Sequence, residues 1–223
     1  MLGPSVGRVS AAEPDGVALA IVYDTSGSMG EPVRDASGQQ SPKYIIANRA
    51  LIAVAKHLEA YATNKASAGS RRIETGLFTF RGQGAAPSVP FGPFDSEALQ
   101  SFARGFTHPS GNTPLGNALA TASRAVLDSP LPRKHVLIIT DGMNTAGPAP
   151  DAVLPKIKKW AEQKQTAISI HFIAFDVDAA VFAPVKKLGA TVVGASNETQ
   201  LNSQLDFILQ RKILLEEEEP AKH

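Results

Sequence analysis

Cysteine is absent from all 223 residues, which excludes disulfides, thiolate nucleophiles and zinc–thiolate sites. An excess of either charge is missing too. Lysine and arginine number 22 against 21 acids, a formal net charge of +1, so no basic surface argues for nucleic acid. The cluster Lys156, Lys158, Lys159 and Lys164 has the spacing of a solvated helix face. No apolar run in the chain approaches the roughly 20 residues that a membrane-spanning helix needs. The opening MLGPSVGRVSAAEPDG lacks the apolar centre of a signal peptide, which leaves the location open between the cytoplasm and the outside of the cell. Histidines at 57, 108, 135, 171 and 223 are too scattered for a metal cluster. No Gly-Lys-Ser/Thr loop appears, so a Walker nucleotide site is excluded.

What is present suits one globular domain, with 43% hydrophobic and 19% charged residues. We assign it to residues 16–215, between an N-terminal arm, 1–15, and an acidic tail, 216–223. Val17–Tyr23 is a continuous apolar run that suits a strand buried on both faces. Residues 31–42 are polar and turn-rich, with a small hairpin expected around Asp35–Gly38. Lys43–Ala62 has apolar residues at helical spacing and predicts a long amphipathic helix. A second strand is expected over Arg72–Phe80, a short edge strand over Val89–Phe91, and a helix over Ser96–Arg104. Pro114 suits the first position of a helix to Asp128, capped by Thr113 or Asn112. Beyond it the pattern predicts strands at His135–Thr140, Ala167–Phe175 and Thr191–Val193, and helices at Ala152–Gln165, Ala179–Leu188 and Thr199–Leu215. Asp176 and Asp178 end a strand; capping of the 179–188 helix is the default reading, and shaping the rim of a binding site at that sheet edge is the alternative.

Strands alternating with helices predict an α/β fold, a mostly parallel sheet covered on both faces. In such sheets the ligand site lies beyond the carboxyl ends of the strands, where the strand order reverses. That rule selects three loops, Asp24–Gly30, Ser110–Thr113 and Asp141–Thr145, all carrying hard oxygen donors. Asp24, Ser26 and Ser28 alternate, which in an extended loop sends their oxygens to one side. Thr113 adds a hydroxyl and Asp141 a second carboxylate. Such a set suits a hard divalent cation that keeps some of its waters. Two enzyme readings compete. Ser26-Gly27-Ser28-Met29-Gly30 is one residue short of a Gly-x-Ser-x-Gly elbow, and Ser28 with Asp141 and His171 has a hydrolase order. Only one strand precedes Ser28, however, and His171 sits inside a predicted strand. Asp24 as a phosphoryl acceptor lacks the second acid expected two residues on, where Ser26 stands.

Asp24-Thr25-Ser26-Gly27-Ser28 matches the Asp-x-Ser-x-Ser signature of von Willebrand factor type A domains. With Thr113 of GNTPLG and Asp141 of ITDGMN in the right chain order, the pattern resembles that family's metal-ion-dependent adhesion site (MIDAS) across roughly residues 15–213. The resemblance implies a three-layer Rossmann-like fold with one short antiparallel edge strand. It implies that Ser26, Ser28 and Thr113 bind the metal directly, while Asp24 and Asp141 bind directly or through water. The ion would be Mg2+, with Mn2+ or Ca2+ as alternatives, and a protein partner's Asp or Glu would complete its coordination. The expected function is therefore non-enzymatic protein binding by a monomer, the alternative being a scaffold that uses other faces without metal. Some members couple the metal site to a shift of the last helix, here Thr199–Leu215. Short loops, the lack of cysteine and the compact length point to a bacterial member. Residues 31–42 leave the metal loop directly and offer Arg34, Asp35 and Gln39 as part of a partner-reading rim; His108 lies near Thr113.

Overall fold

The structure is a computed structural model and describes residues 16–63 and 72–214. The expected arm and acidic tail lie outside the described residues. Eight strands are present among them: β1 Gly16–Tyr23, β2 Pro32–Arg34, β3 Gln40–Pro42, β4 Arg72–Arg81, β5 Gly84–Pro93, β6 Arg133–Thr140, β7 Ser169–Phe175 and β8 Thr191–Ala195. The α-helices are α1 Lys43–Thr63, α2 Ser96–Gly105, α3 Leu115–Asp128, α4 Pro150–Gln163, α5 Ala183–Lys187 and α6 Glu198–Ile208.

β1 is buried along all eight residues because it occupies the middle of a six-stranded sheet of order β5-β4-β1-β6-β7-β8. All pairings in that sheet are parallel except β4 with β5. The apolar run of β1 serves two cores at once, since alternate side chains leave opposite faces. Leu19, Ile21 and Tyr23 join the core beneath α1, α2 and α6, whereas Ala18, Ala20 and Val22 join the one beneath α3 and α4. In the second core β1 and α3 both contribute small residues, Ala18 and Ala20 from the strand and Ala118 and Ala122 from the helix. Strand order reverses between β1 and β6, so the crevice at their carboxyl ends lies where Asp24 and Asp141 begin their loops.

Three elements depart from the sequence expectation. The edge strand β5 runs for ten residues instead of three, despite Pro87, Pro90 and Pro93. An edge strand tolerates prolines because its outer face pairs with nothing. Its register with β4 slips twice around Leu77, and a Cβ on Gly76 would fall 2.8 Å from Phe91 Cα, so only glycine fits this close approach. Pro114 occupies the cap position of α3 and not its first turn, and Thr113 does not cap the helix. The expected 179–188 helix is a 3-10 turn, Ala179–Phe182, followed by α5, with Asp178 accepting from Ala180 N–H at 2.8 Å.

The last helix ends in a wider π-helical turn, Leu209–Leu214. Arg133, at the start of β6, holds its carbonyl oxygens: Nη1 donates to Ile213 at 3.2 Å and to Leu214 at 3.4 Å. Nη2 of the same side chain donates to the Tyr61 hydroxyl at 3.0 Å.

His135 and His171 stack inside the sheet, with ring centroids 5.5 Å apart and Nδ1 of one 3.2 Å from Nε2 of the other. Burial depresses both imidazoles below their ordinary value; His171 and Arg133 add to the effect on His135, and Lys212 to that on His171. A depressed base binds fewer protons folded than unfolded, so its stabilising neutral state is complete above the ordinary imidazole value and is lost as pH falls. Stability in urea unfolding is therefore expected to decline below pH ~6.5, each histidine contributing up to about 1.4 kcal/mol per pH unit. The variant His171→Phe should flatten that decline; an unchanged slope between wild type and variant would contradict the assignment.

Candidate metal centre

Asp24 follows the last residue of β1 and is fully buried. Its N–H donates to Ile139 O at 3.1 Å, continuing the pairing of β1 with β6 for one more residue. The carboxylate is fixed on both oxygens: Oδ1 accepts from Ser26 N–H at 2.8 Å and Oδ2 from the Thr140 hydroxyl at 2.6 Å. Ser26 is extended, but the chain then tightens into a 3-10 turn, Gly27–Gly30, where an extended loop is expected. The turn does not separate the serine hydroxyls, whose oxygens lie 3.1 Å apart. Ser28 Oγ donates to Asp141 Oδ1 at 2.9 Å, which joins the first loop to the third.

Thr113 enters from the middle loop. Its N–H donates to Thr145 Oγ1 at 2.8 Å, and Thr145 N–H returns a bond to Thr113 O at 3.0 Å. A Cβ placed on Gly142 would lie 3.8 Å from Ser28 Oγ and 3.9 Å from Thr113 Oγ1, so both hydroxyls lie close to this glycine. Gly27 N–H to Gly111 O at 3.2 Å and Ser110 N–H to Thr25 O at 2.8 Å stitch the first and second loops. All five predicted residues, Asp24, Ser26, Ser28, Thr113 and Asp141, thus meet at one sheet edge. His171 does not join them; it stacks on His135 within the sheet.

The donor chemistry fits a hard cation. Burial raises the Asp24 carboxyl to about 6; the hydrogen bonds from Ser26 and Thr140 pull the other way, and the Asp141 charge adds to the rise. A nearby cation would stabilise such a buried anion. Among the described residues no group of three or more His, Asp or Glu is arranged to hold a metal, so an ion here depends on the hydroxyls.

Sequence reasoning missed Lys43. Its Nζ lies 3.1 Å from each of Glu31 Oε2, Asp141 Oδ2 and Asp176 Oδ2, and its side chain is only 4% exposed. Burial pulls the ammonium down, but hydrogen bonds to Glu31 and Asp141 outweigh it and hold Lys43 above the ordinary lysine value. A signal was available: Lys43 shares the helical stripe of the buried residues Ile46, Ala47, Ala50 and Leu51. Asp176 adopts a left-handed backbone (φ 55°) and turns its carboxylate to Lys43; it does not share the capping role of Asp178.

The β2–β3 hairpin stands beside this cluster, its base closed by Lys43 N–H to Glu31 O at 2.9 Å. Its tip is anchored to α6, where Ala36 N–H donates to Glu198 Oε2 at 2.8 Å. Arg49 of α1 grips the same carboxylate with Nε at 2.7 Å and Nη2 at 2.8 Å. Asp35 spends its carboxylate inside the hairpin on Ser37, Ser41 and Gln39, which pulls its carboxyl down to about 2. His108 pairs with its neighbour, the Thr107 hydroxyl, at 2.7 Å. Met143 is 61% exposed and borders a groove of about 180 Å³ with Val181 and Phe182.

A sequence profile of the von Willebrand factor type A domain matches residues 19–144. Comparison with the curated proteins finds no match. Among solved structures, the PilB minor pilin of Streptococcus sanguinis superposes with a TM-score of 0.66 at 16% identity, covering 90% of this chain and 62% of the pilin. The chain therefore spans about three fifths of that relative. The vWF domain of the type V pili tip protein Mfa5 from Porphyromonas gingivalis gives 0.59 at 15% identity, covering 88% and 95%. Proximal thread matrix protein 1 from the mussel byssus, in a form with a zinc-occupied MIDAS motif, gives 0.57 at 15% identity, covering 87% and 47%. At these identities the likeness establishes a shared fold.

The raised Asp24 carboxyl fixes the sign of one substitution. Because the folded value exceeds the unfolded one, the ionised acid destabilises the metal-free protein at neutral pH, and the cost fades as pH falls through about 6. Asparagine keeps the shape and can bond both Ser26 N–H and the Thr140 hydroxyl. Asp24→Asn is expected to raise metal-free stability at pH 7.5 by about 1–2 kcal/mol, with a smaller gain at pH 5. Urea unfolding in chelator measures it, and destabilisation at pH 7.5 would refute it.

Proposed function

Because the chain belongs to the von Willebrand factor type A family, we propose that it is a protein-binding module in which a divalent ion receives a partner's carboxylate. The observation that carries this reading is the convergence of Asp24, Ser26, Ser28, Thr113 and Asp141 from three loops, with Ser28 bonded across to Asp141 at 2.9 Å. Ser26, Ser28 and Thr113 would hold the ion directly, and Asp24 and Asp141 directly or through water. Bound there, the ion supplies a Lewis-acidic position open to one more anionic oxygen. The protein's own part is to hold the donors still: Thr140 and Ser26 N–H orient Asp24, and Thr145 orients Thr113. Few carboxylates and many hydroxyls favour Mg2+, with Mn2+ and Ca2+ as alternatives; the zinc-occupied motif of the byssus protein supports a divalent ion in this fold.

The role is non-enzymatic. Ser28 Oγ donates a hydrogen bond to Asp141, and His171 is stacked on His135 inside the sheet, which favours a ligand over a nucleophile. The hairpin and Met143 form the rim on which a partner's neighbouring residues would rest. Among the described residues no helix is long and apolar enough to cross a membrane. Pilus proteins among the structural neighbours support a bacterial, extracytoplasmic setting, and the module is read as a monomer.

Thermal unfolding in millimolar Mg2+ against chelator tests the metal. An ion that binds only the folded state stabilises it by about 2.7 kcal/mol at a hundred times its dissociation constant. Wild type is expected to melt higher in Mg2+, and Asp24→Ala and Ser28→Ala to lose that response. Capture of a partner through an acidic segment should disappear in chelator. If wild type shows no shift with Mg2+ or Mn2+ and capture ignores chelator, the scaffold reading replaces this one.

A further inference from the structure

The mechanism above gives Lys43 no task, yet an ammonium buried to this degree and bonded to three acids is costly to assemble. Its three N–H donors are matched by three carboxylate oxygens at 3.1 Å each. Only Asp141 belongs to the metal cluster. Its side chain is fully buried and its two oxygens are divided, Oδ1 to the Ser28 hydroxyl and Oδ2 to Lys43.

We infer that Lys43 is the residue that sets the metal preference of this site, by holding one oxygen of Asp141 and keeping Glu31 and Asp176 away from the ion. The inference rests on the metal-binding reading given above. Ca2+ takes six to eight oxygens and readily accepts bidentate carboxylates, whereas Mg2+ demands about six in strict geometry and retains water. With Oδ2 committed to the ammonium, Asp141 has a single oxygen for the ion. Glu31 and Asp176, which the same ammonium gathers, cannot add theirs. The positive charge also offsets one carboxylate beside the ion, which favours arrival of an anionic ligand from outside. Lys43 is thus a positioning residue: it acts through Asp141 and does not touch the ion.

A purely structural role for Lys43 would alter stability but not the ratio of affinities for two ions, so that ratio is the readout. Mg2+ and Ca2+ are titrated separately into chelator-treated wild type, Lys43→Met and the double variant Glu31→Gln/Asp176→Asn, with circular dichroism to confirm folding. Lys43→Met should raise the affinity for Ca2+ relative to Mg2+ by about tenfold or more, because Asp141 and its neighbours become free to coordinate. In the double variant the ammonium still holds Asp141 Oδ2 while the two acids it keeps from the ion are gone, so the Ca2+-to-Mg2+ affinity ratio should stay within about twofold of wild type. That variant keeps the buried pair and alters side chains that are 66% and 36% exposed, so it decides the matter if Lys43→Met does not fold. Wild type that binds neither ion removes the metal reading and this inference with it. Binding by wild type with an unchanged ratio in folded Lys43→Met, or a Ca2+-to-Mg2+ ratio that falls about threefold or more in the double variant, overturns the inference alone.

Discussion

A carboxylate buried at the end of the central strand organises this molecule. Asp24 is tolerated there because the Ser26 N–H and the Thr140 hydroxyl each satisfy one oxygen. The first bond curls the chain back after β1 and turns the serines inward. The second ties the end of β1 to the end of β6, the two strands between which the order of the sheet reverses. The site is therefore an extension of the sheet's own pairing into the loops, and its precision comes from the most rigid part of the fold.

The two faces of the sheet contribute differently to that edge. The alanine-lined contact with α3 brings the loop carrying Thr113 close to the strand ends. The other face bears α1, whose first residue, Lys43, reaches the acids at the carboxyl ends of β6 and β7. One cation thus joins the first turn of a helix, the base of a hairpin and two strand ends. Each helix supports the site from its own N-terminal end, and the cores below keep both at fixed height.

Most of the fold was legible in the sequence because its strands are buried on both faces and read as continuous apolar runs, while its long helices keep a clear period. The convergence of Asp24, Ser26, Ser28, Thr113 and Asp141 was legible as well, since the tight Asp-x-Ser-x-Ser spacing and two isolated loop residues sit at positions that the sheet rule selects. The contacts around Lys43 were not. Its partners Glu31, Asp141 and Asp176 are brought to it by helix docking, and no local pattern records a bond across 98 residues. A lysine at a helix start ordinarily reads as solvated, and only its place on the apolar stripe hinted otherwise. Three prolines mask the pairing of β5 and hide its full length, and Asp176 reads as a cap or as part of the site's rim because capping chemistry and ion pairing use the same residue type.

The final helix is fastened at both poles of the sheet. Near the site, Glu198 in its first turn is gripped by Arg49 and touches the hairpin tip at Ala36. At the far end, its last carbonyls are held by Arg133. A rod secured in this way is a strut, and lengthwise travel would have to break charged bonds at one pole and stretch those at the other. Any motion that did occur would drag the hairpin along, so the height of the rim above the strand ends and the seating of the far helical turn are one mechanical variable.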